Sequence, residues 1–160
     1  FAAYGPCIVL AAGKPVYVPI YEEDDFILRP DVLEKHITKK SKVLILPYPN
    51  NPTGAVMNRE QMEDIATIVE ENDLIVITDE TYCELTYGVS HIPFATLPGM
   101  WDRTITINGL SKSYAMTGWR IGYIGAPSAM IAQMTKSSSI QCYLCSCHGS
   151  IRRNQRIRNW

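Results

Sequence analysis

The chain has 160 residues, 46% of them apolar, and a formal net charge of -1. That suits one globular domain with a sizeable core, and gives no global attraction to nucleic acid or to an acidic membrane surface. No apolar run approaches the roughly 20 residues that cross a bilayer, and the opening residues lack the basic start and unbroken apolar stretch of a signal peptide. Of five cysteines, Cys7 and Cys83 stand alone while Cys142, Cys145 and Cys147 crowd together. This is no disulfide framework, so a reducing, cytoplasmic setting is expected.

In chain order, residues 7–12 read as the end of a helix closed by Gly13. Val16 to Ile20 reads as a short strand, and Glu22 to Asp25 as a solvated turn. Pro30 and Asp31 open a helix to about Ile37, since proline is tolerated at a first helical position. Val43 to Leu46 is an apolar run of strand length, stopped by Pro47. Asn58 is a candidate cap, and Gln61 three positions on completes a capping box. Over Glu60–Glu71, Met62, Ile65, Ile68 and Val69 recur at helical spacing, with the acids outside that stripe. Leu74 to Thr78 is a second buried-strand pattern, so strand, helix and strand form a βαβ unit with parallel pairing. Residues 82–100 are broken by Pro93, Pro98 and Gly99. Thr104 to Asn108 reads as a third strand, Arg120 to Gly125 as a fourth, and Pro127 to about Gln141 as a helix.

In an open α/β sheet, ligands collect beyond the carboxyl ends of the strands. Asn51 lies shortly after the first of these βαβ strands, Asp79 directly after the second, and Lys112 four residues after Asn108. If the three strands are parallel, these side chains meet on one edge. Spacing alone predicts a site without naming its occupant. All 16 acidic residues lie at or before Asp102, so Lys112 and Arg120 occupy a stretch without carboxylates, suited to an anionic group.

Four segments carry a resemblance: Asn51-Pro52-Thr53-Gly54, Asp79-Glu80-Thr81-Tyr82, Ser111-Lys112, and Gly118-Trp119-Arg120-Ile121-Gly122. Together they resemble class I/II pyridoxal-phosphate-dependent aminotransferases of the aspartate aminotransferase type. The resemblance covers about residues 1–140, the central part of a full member. It implies a three-layer α/β/α fold with a mostly parallel sheet, here a partial large domain. It also implies pyridoxal phosphate held as an imine on Lys112, which then shuttles the substrate α-proton. A free lysine is ordinarily protonated near neutral pH and is a poor base, so the chemistry needs it covalently held or its charge disfavoured. Asp79 would pair with the ring nitrogen and keep it protonated as an electron sink; alone, an aspartate after a strand is as readily a helix cap. Asn51 and Tyr82 would hydrogen-bond the phenolic oxygen, and Arg120, with Ser111, the phosphate. Many relatives carry a serine where this chain has Gly109. Phe1 and Tyr4 resemble an aromatic-x-x-Tyr turn in which the first aromatic stacks on the cofactor ring. No role for Glu80 follows, and His36 and His91 read as surface or partly packed.

The implied reaction moves an amino group between an amino acid and a 2-oxo acid, in amino-acid metabolism, with a homodimer expected of the parent. The same electron sink also serves lyases and decarboxylases, and a non-catalytic truncated protein is the third reading. As an internal fragment, the chain is expected to bind cofactor poorly and turn over slowly or not at all. Residues 141–160 depart from the family pattern as a Cys/Arg-rich tail, read as disordered or frame-shifted. Its Cys142, Cys145, Cys147 and His148 would crowd four zinc ligands onto one short loop, unlike separated structural pairs, so no metal site is expected. Its arginines lack the interleaved aromatics of a nucleic-acid arm.

Overall fold

A computed structural model describes residues 3–142 of the chain. Its centre is the strand–helix–strand unit the hydrophobic pattern predicts: β1 (Val43–Leu46), α3 (Arg59–Glu71) and β2 (Ile75–Asp79). Asn58 starts α3 because its side chain accepts the Gln61 N–H at 2.9 Å while Gln61 Oε1 accepts the Asn58 N–H at 2.9 Å. Two otherwise orphaned donors are thereby satisfied. Met62, Ile65, Ile68 and Val69, the predicted apolar stripe, are all buried. Each such side chain taken from water contributes roughly 1.5–3 kcal/mol, which makes this stripe the main attachment of α3 to the sheet.

Two further strands, β3 (Thr104–Gly109) and β4 (Gly122–Gly125), complete a sheet ordered β1-β2-β3-β4. The first three are parallel, with Ile45 opposite Ile77 and Ile77 opposite Ile105; β4 runs antiparallel to β3. The mostly parallel α/β architecture is therefore as expected. Alternation sorts the side chains. Leu44, Leu46, Val76 and Thr78 are buried in one core with α3, while Ile75, Ile77 and Asp79 are only partly covered on the opposite face. Helix α1 (Tyr4–Leu10) reaches the rim of that second face through Tyr4, which donates to Asp79. Helices α2 (Pro30–Glu34), α4 (Leu110–Ser113) and α5 (Ser128–Cys142) complete the α-helices among the described residues.

Some boundaries move. Residues 16–20 form no strand: Pro15 and Pro19 bracket the segment and cannot donate to a ladder, so Val18 and Ile20 pack on the core without pairing. Helix α2 ends at Glu34, followed by turn bonds from His36 to Leu33 and Ile37 to Glu34. The last strand starts at Gly122 because Arg120 holds φ 52, a left-handed turn that extended pairing cannot include. Among the described residues no helix is long and apolar enough to cross a membrane.

Candidate functional site

Three parallel strands end on the same edge, and each delivers a predicted residue at or beyond its last ladder position. After β1 the chain turns at 50–55, tied by the Gly54 N–H to Asn50 O and the Asn50 N–H to Ala55 O, both 2.9 Å. Gly54 has φ +77, which favours glycine there. From this turn Asn51 Nδ2 donates to the Tyr82 hydroxyl at 3.0 Å. The phenol oxygen thus accepts from Asn51 and keeps its own proton to donate to another group.

Asp79 closes β2 and is half-buried. One carboxylate oxygen, Oδ1, accepts the Thr81 hydroxyl at 2.6 Å and the Thr81 N–H at 3.3 Å. The other, Oδ2, accepts the Tyr4 hydroxyl. Burial first, and then the bond to Asp79, push the Tyr4 phenol well above its ordinary value, so it remains a donor across the neutral range. Asp79 is therefore aimed by its neighbours and is not serving as a helix cap.

Beyond β3, α4 carries Ser111 and Lys112. The Lys112 ammonium nitrogen lies 5.4 Å from the centroid of the Tyr82 ring, within cation–π range. Next to it, a cavity of about 240 Å³ is lined by Thr81, Asn108, Gly109, Ser111, Arg120, Ile121 and Gly122. Arg120 is exposed, and its Nη1 donates to the Thr117 carbonyl at 3.1 Å. Position 109 has a steric reason to be glycine: an added Cβ would sit 3.2 Å from the Ile121 carbonyl oxygen, across the β3–β4 pair.

Asn51, Asp79, Tyr82, Ser111, Lys112 and Arg120 thus share one rim, linked by the Asn51–Tyr82–Lys112 chain and by Thr81, which bonds Asp79 and lines the cavity with Ser111 and Arg120. Phe1 lies outside the described residues, as does nearly all of the Cys/Arg-rich tail. Two contributors were missed in the sequence. The sequence marks Tyr4 only as part of a turn and Thr81 only as a position within a motif, yet both donate to Asp79. A hydroxyl two residues after a strand-end aspartate was the available signal, since such residues bond locally. His91 departs from expectation as well: its side chain is 5% exposed, 3.0 Å from that of Glu80.

Residues 1–152 match the family pattern of aminotransferase class I and II. The chain belongs to that family. It is 49% identical over 148 residues to an aspartate aminotransferase of Pyrococcus abyssi, covering 92% of this chain and 37% of the relative. To aromatic-amino-acid aminotransferase 2 of Thermococcus litoralis it is 47% identical, with the same coverage. Among solved structures, an aromatic aminotransferase from Pyrococcus horikoshii superposes with a TM-score of 0.86 at 50% identity, covering 88% of this chain and 38% of that one. Thermus thermophilus aspartate aminotransferase with maleate gives 0.82 at 36% identity, covering 86% and 35%. The chain therefore spans a little over a third of the length of these relatives. The cofactor of the family is pyridoxal phosphate.

Proposed function

We propose that this chain supplies the cofactor-binding rim of a pyridoxal-phosphate-dependent aminotransferase, whose reaction exchanges an amino group between an amino acid and a 2-oxo acid. The observation that carries the reading is the convergence of an aimed carboxylate, an Asn–Tyr hydrogen-bonded pair and a lysine at the ends of three parallel strands. Residues 1–140 are the cofactor-binding portion in this reading, with Phe1 against the ring face. A cytoplasmic homodimer is the setting it proposes for the parent protein.

The donor set fits the group. Asp79, with Oδ1 and Oδ2 oriented by Thr81 and Tyr4, would accept from a protonated ring nitrogen. Tyr82, its oxygen already accepting from Asn51, would donate to the phenolic oxygen. Arg120 and Ser111 line the cavity and offer the guanidinium fork and hydroxyl that suit a phosphate. When bound, pyridoxal phosphate supplies an electrophilic aldehyde carbon and an electron-withdrawing ring. Lys112 Nζ would hold that aldehyde end and, once released, take a proton from the substrate α-carbon and return it. The Tyr82 ring beside the lysine limits the directions from which its amine can approach.

Borohydride reduction after incubation with pyridoxal phosphate tests the reading. The expected result is a stable mass increase on the peptide containing Lys112, absent in Lys112→Ala. Label spread over Lys39, Lys40 and Lys42, with none at Lys112, would overturn it. In the longer protein that contains this chain, amino-group exchange with a 2-oxo acid is expected, and release of ammonia or carbon dioxide in its place would assign a lyase or decarboxylase.

A further inference from the structure

Directly beside Asp79, a second carboxylate is buried with no part in the chemistry above. The side chains of Glu80 and His91 are 4% and 5% exposed, and Glu80 Oε2 lies 3.0 Å from His91 Nε2. The approach has the distance of an ion pair without the alignment of a hydrogen bond, and neither imidazole nitrogen has a hydrogen-bond partner among the described residues. Glu80 Oε1 accepts the Phe94 N–H at 3.1 Å, and the Glu80 N–H donates to the Ile107 carbonyl at 2.9 Å. Both oxygens of one side chain are thus spent on the far end of the loop that begins at Thr81. A buried carboxylate is costly to retain unless it is paired, which a core needing only volume would avoid.

The loop has few other anchors. Leu85, Tyr87 and Val89 are 39%, 87% and 56% exposed. At its start, Cys83 Sγ accepts from Asn108 Nδ2 at 3.2 Å; at its end, Phe94 is buried and Ile92 packs on the core. Between these ends the loop carries Tyr82, whose hydroxyl meets Asn51. We propose that Glu80 and His91 form a buried latch that closes the 81–93 loop and thereby positions Tyr82 in the site. Both are positioning residues that act through Tyr82. This inference rests on the cofactor reading only for the role of Tyr82; the closure of the loop stands on the contacts themselves.

Three variants test it. His91→Gln places an amide nitrogen near the position of Nε2 and keeps a polar group beside Glu80 Oε2. His91→Leu removes the imidazole from beside Oε2 and leaves the Glu80 carboxylate with the Phe94 N–H. Glu80→Gln combined with His91→Leu removes both latch and buried charge, and so guards against simple failure to fold. Amide hydrogen exchange is read over residues 82–90, with the α3 peptide 62–69 as the internal reference. The expected result is exchange about tenfold faster over 82–90 in His91→Leu and in the double variant, the α3 peptide unchanged, and rescue by His91→Gln. In protein loaded with pyridoxal phosphate, the pH midpoint of the visible band should move in the two open-loop variants in the same direction as in Tyr82→Phe. Equal acceleration of both peptides, or none, would overturn the latch. Selective opening with no movement of the band midpoint would overturn its link to Tyr82. If unmodified protein takes up no cofactor at all, the proposed function and the Tyr82 link both fail, and the exchange data still decide whether the loop is latched.

Discussion

Thr81→Val deletes one hydrogen bond to Asp79 and little else, since valine nearly matches threonine in shape. The bond it removes is the 2.6 Å contact from the Thr81 hydroxyl to Asp79 Oδ1; the Thr81 N–H at 3.3 Å and the Tyr4 hydroxyl still donate. Hydrogen bonds to a charged acceptor contribute roughly 1.5–3 kcal/mol. Asp79 is only half-buried, so water replaces part of the loss in the free protein, and the lower figure applies. About 1.5 kcal/mol corresponds to a pyridoxal phosphate Kd weaker by about tenfold. Titration of the protein with the cofactor, followed by visible absorbance, measures this directly. Thr81→Ser keeps the hydroxyl and should bind within about twofold of the unmodified protein, near the usual noise of additive comparisons. In an Asp79→Ala background the valine substitution should have no further effect, because the acceptor of the deleted bond is already gone. The reasoning is refuted if Thr81→Val binds as tightly as the unmodified protein, or if Thr81→Ser binds as weakly as valine, which would assign the effect to the methyl group.

Two stability predictions follow from the scaffold. Burial raises the Tyr48 phenol from 10.0 to about 12, while its hydroxyl donates to the Phe26 carbonyl at 2.8 Å. A raised value means the contribution is intact below the unfolded value and is lost as pH climbs toward the folded one, because the unfolded chain ionises first. Near pH 11 that loss is about 1.4 kcal/mol. Tyr48→Phe gives up about 1 kcal/mol of hydrogen bonding at pH 8, so urea unfolding should find it less stable there and level with the unmodified protein near pH 11. Asn58→Ala removes the acceptor for the Gln61 N–H in the α3 capping box. A loss of about 1 kcal/mol is expected, read as a lower urea midpoint at unchanged slope.

The parts of the fold legible in the sequence are those governed by short-range rules. The Asn58–Gln61 box and the Met62–Val69 stripe are decided within three or four residues, and the apolar runs at 43–46 and 74–78 admit little besides buried strands. From these the common edge for Asn51, Asp79 and Lys112 followed, because parallel pairing fixes which ends meet. Val16–Ile20 is apolar enough for a strand, yet its two prolines break the ladder and it forms none. Contacts decided by distant sequence were not legible. Tyr4 and Asp79 are separated by 75 positions, and no periodicity links an aromatic near the start of the chain to one strand end. His91 likewise has no local pattern that would mark it as buried; its environment is made by Glu80, eleven residues earlier and on the inner face of the sheet.

Strand geometry explains why two adjacent carboxylates can do unrelated work. Successive side chains of an extended segment point to opposite faces. With Val76 and Thr78 turned into the core, Asp79 must emerge on the open face, where Tyr4 and Thr81 donate to it. Glu80 continues the alternation because its N–H still bonds to Ile107 of β3, so it turns inward and is buried at the base of the 81–93 loop. One more residue brings Thr81 back to the Asp79 side. The order Asp-Glu-Thr in this chain therefore writes an open-face carboxylate, a core anchor and an orienting donor into three consecutive positions, and the β2–β3 ladder enforces the assignment. The tyrosine that follows belongs to the loop, which is why it depends on an anchor made elsewhere to face Asn51 and Lys112.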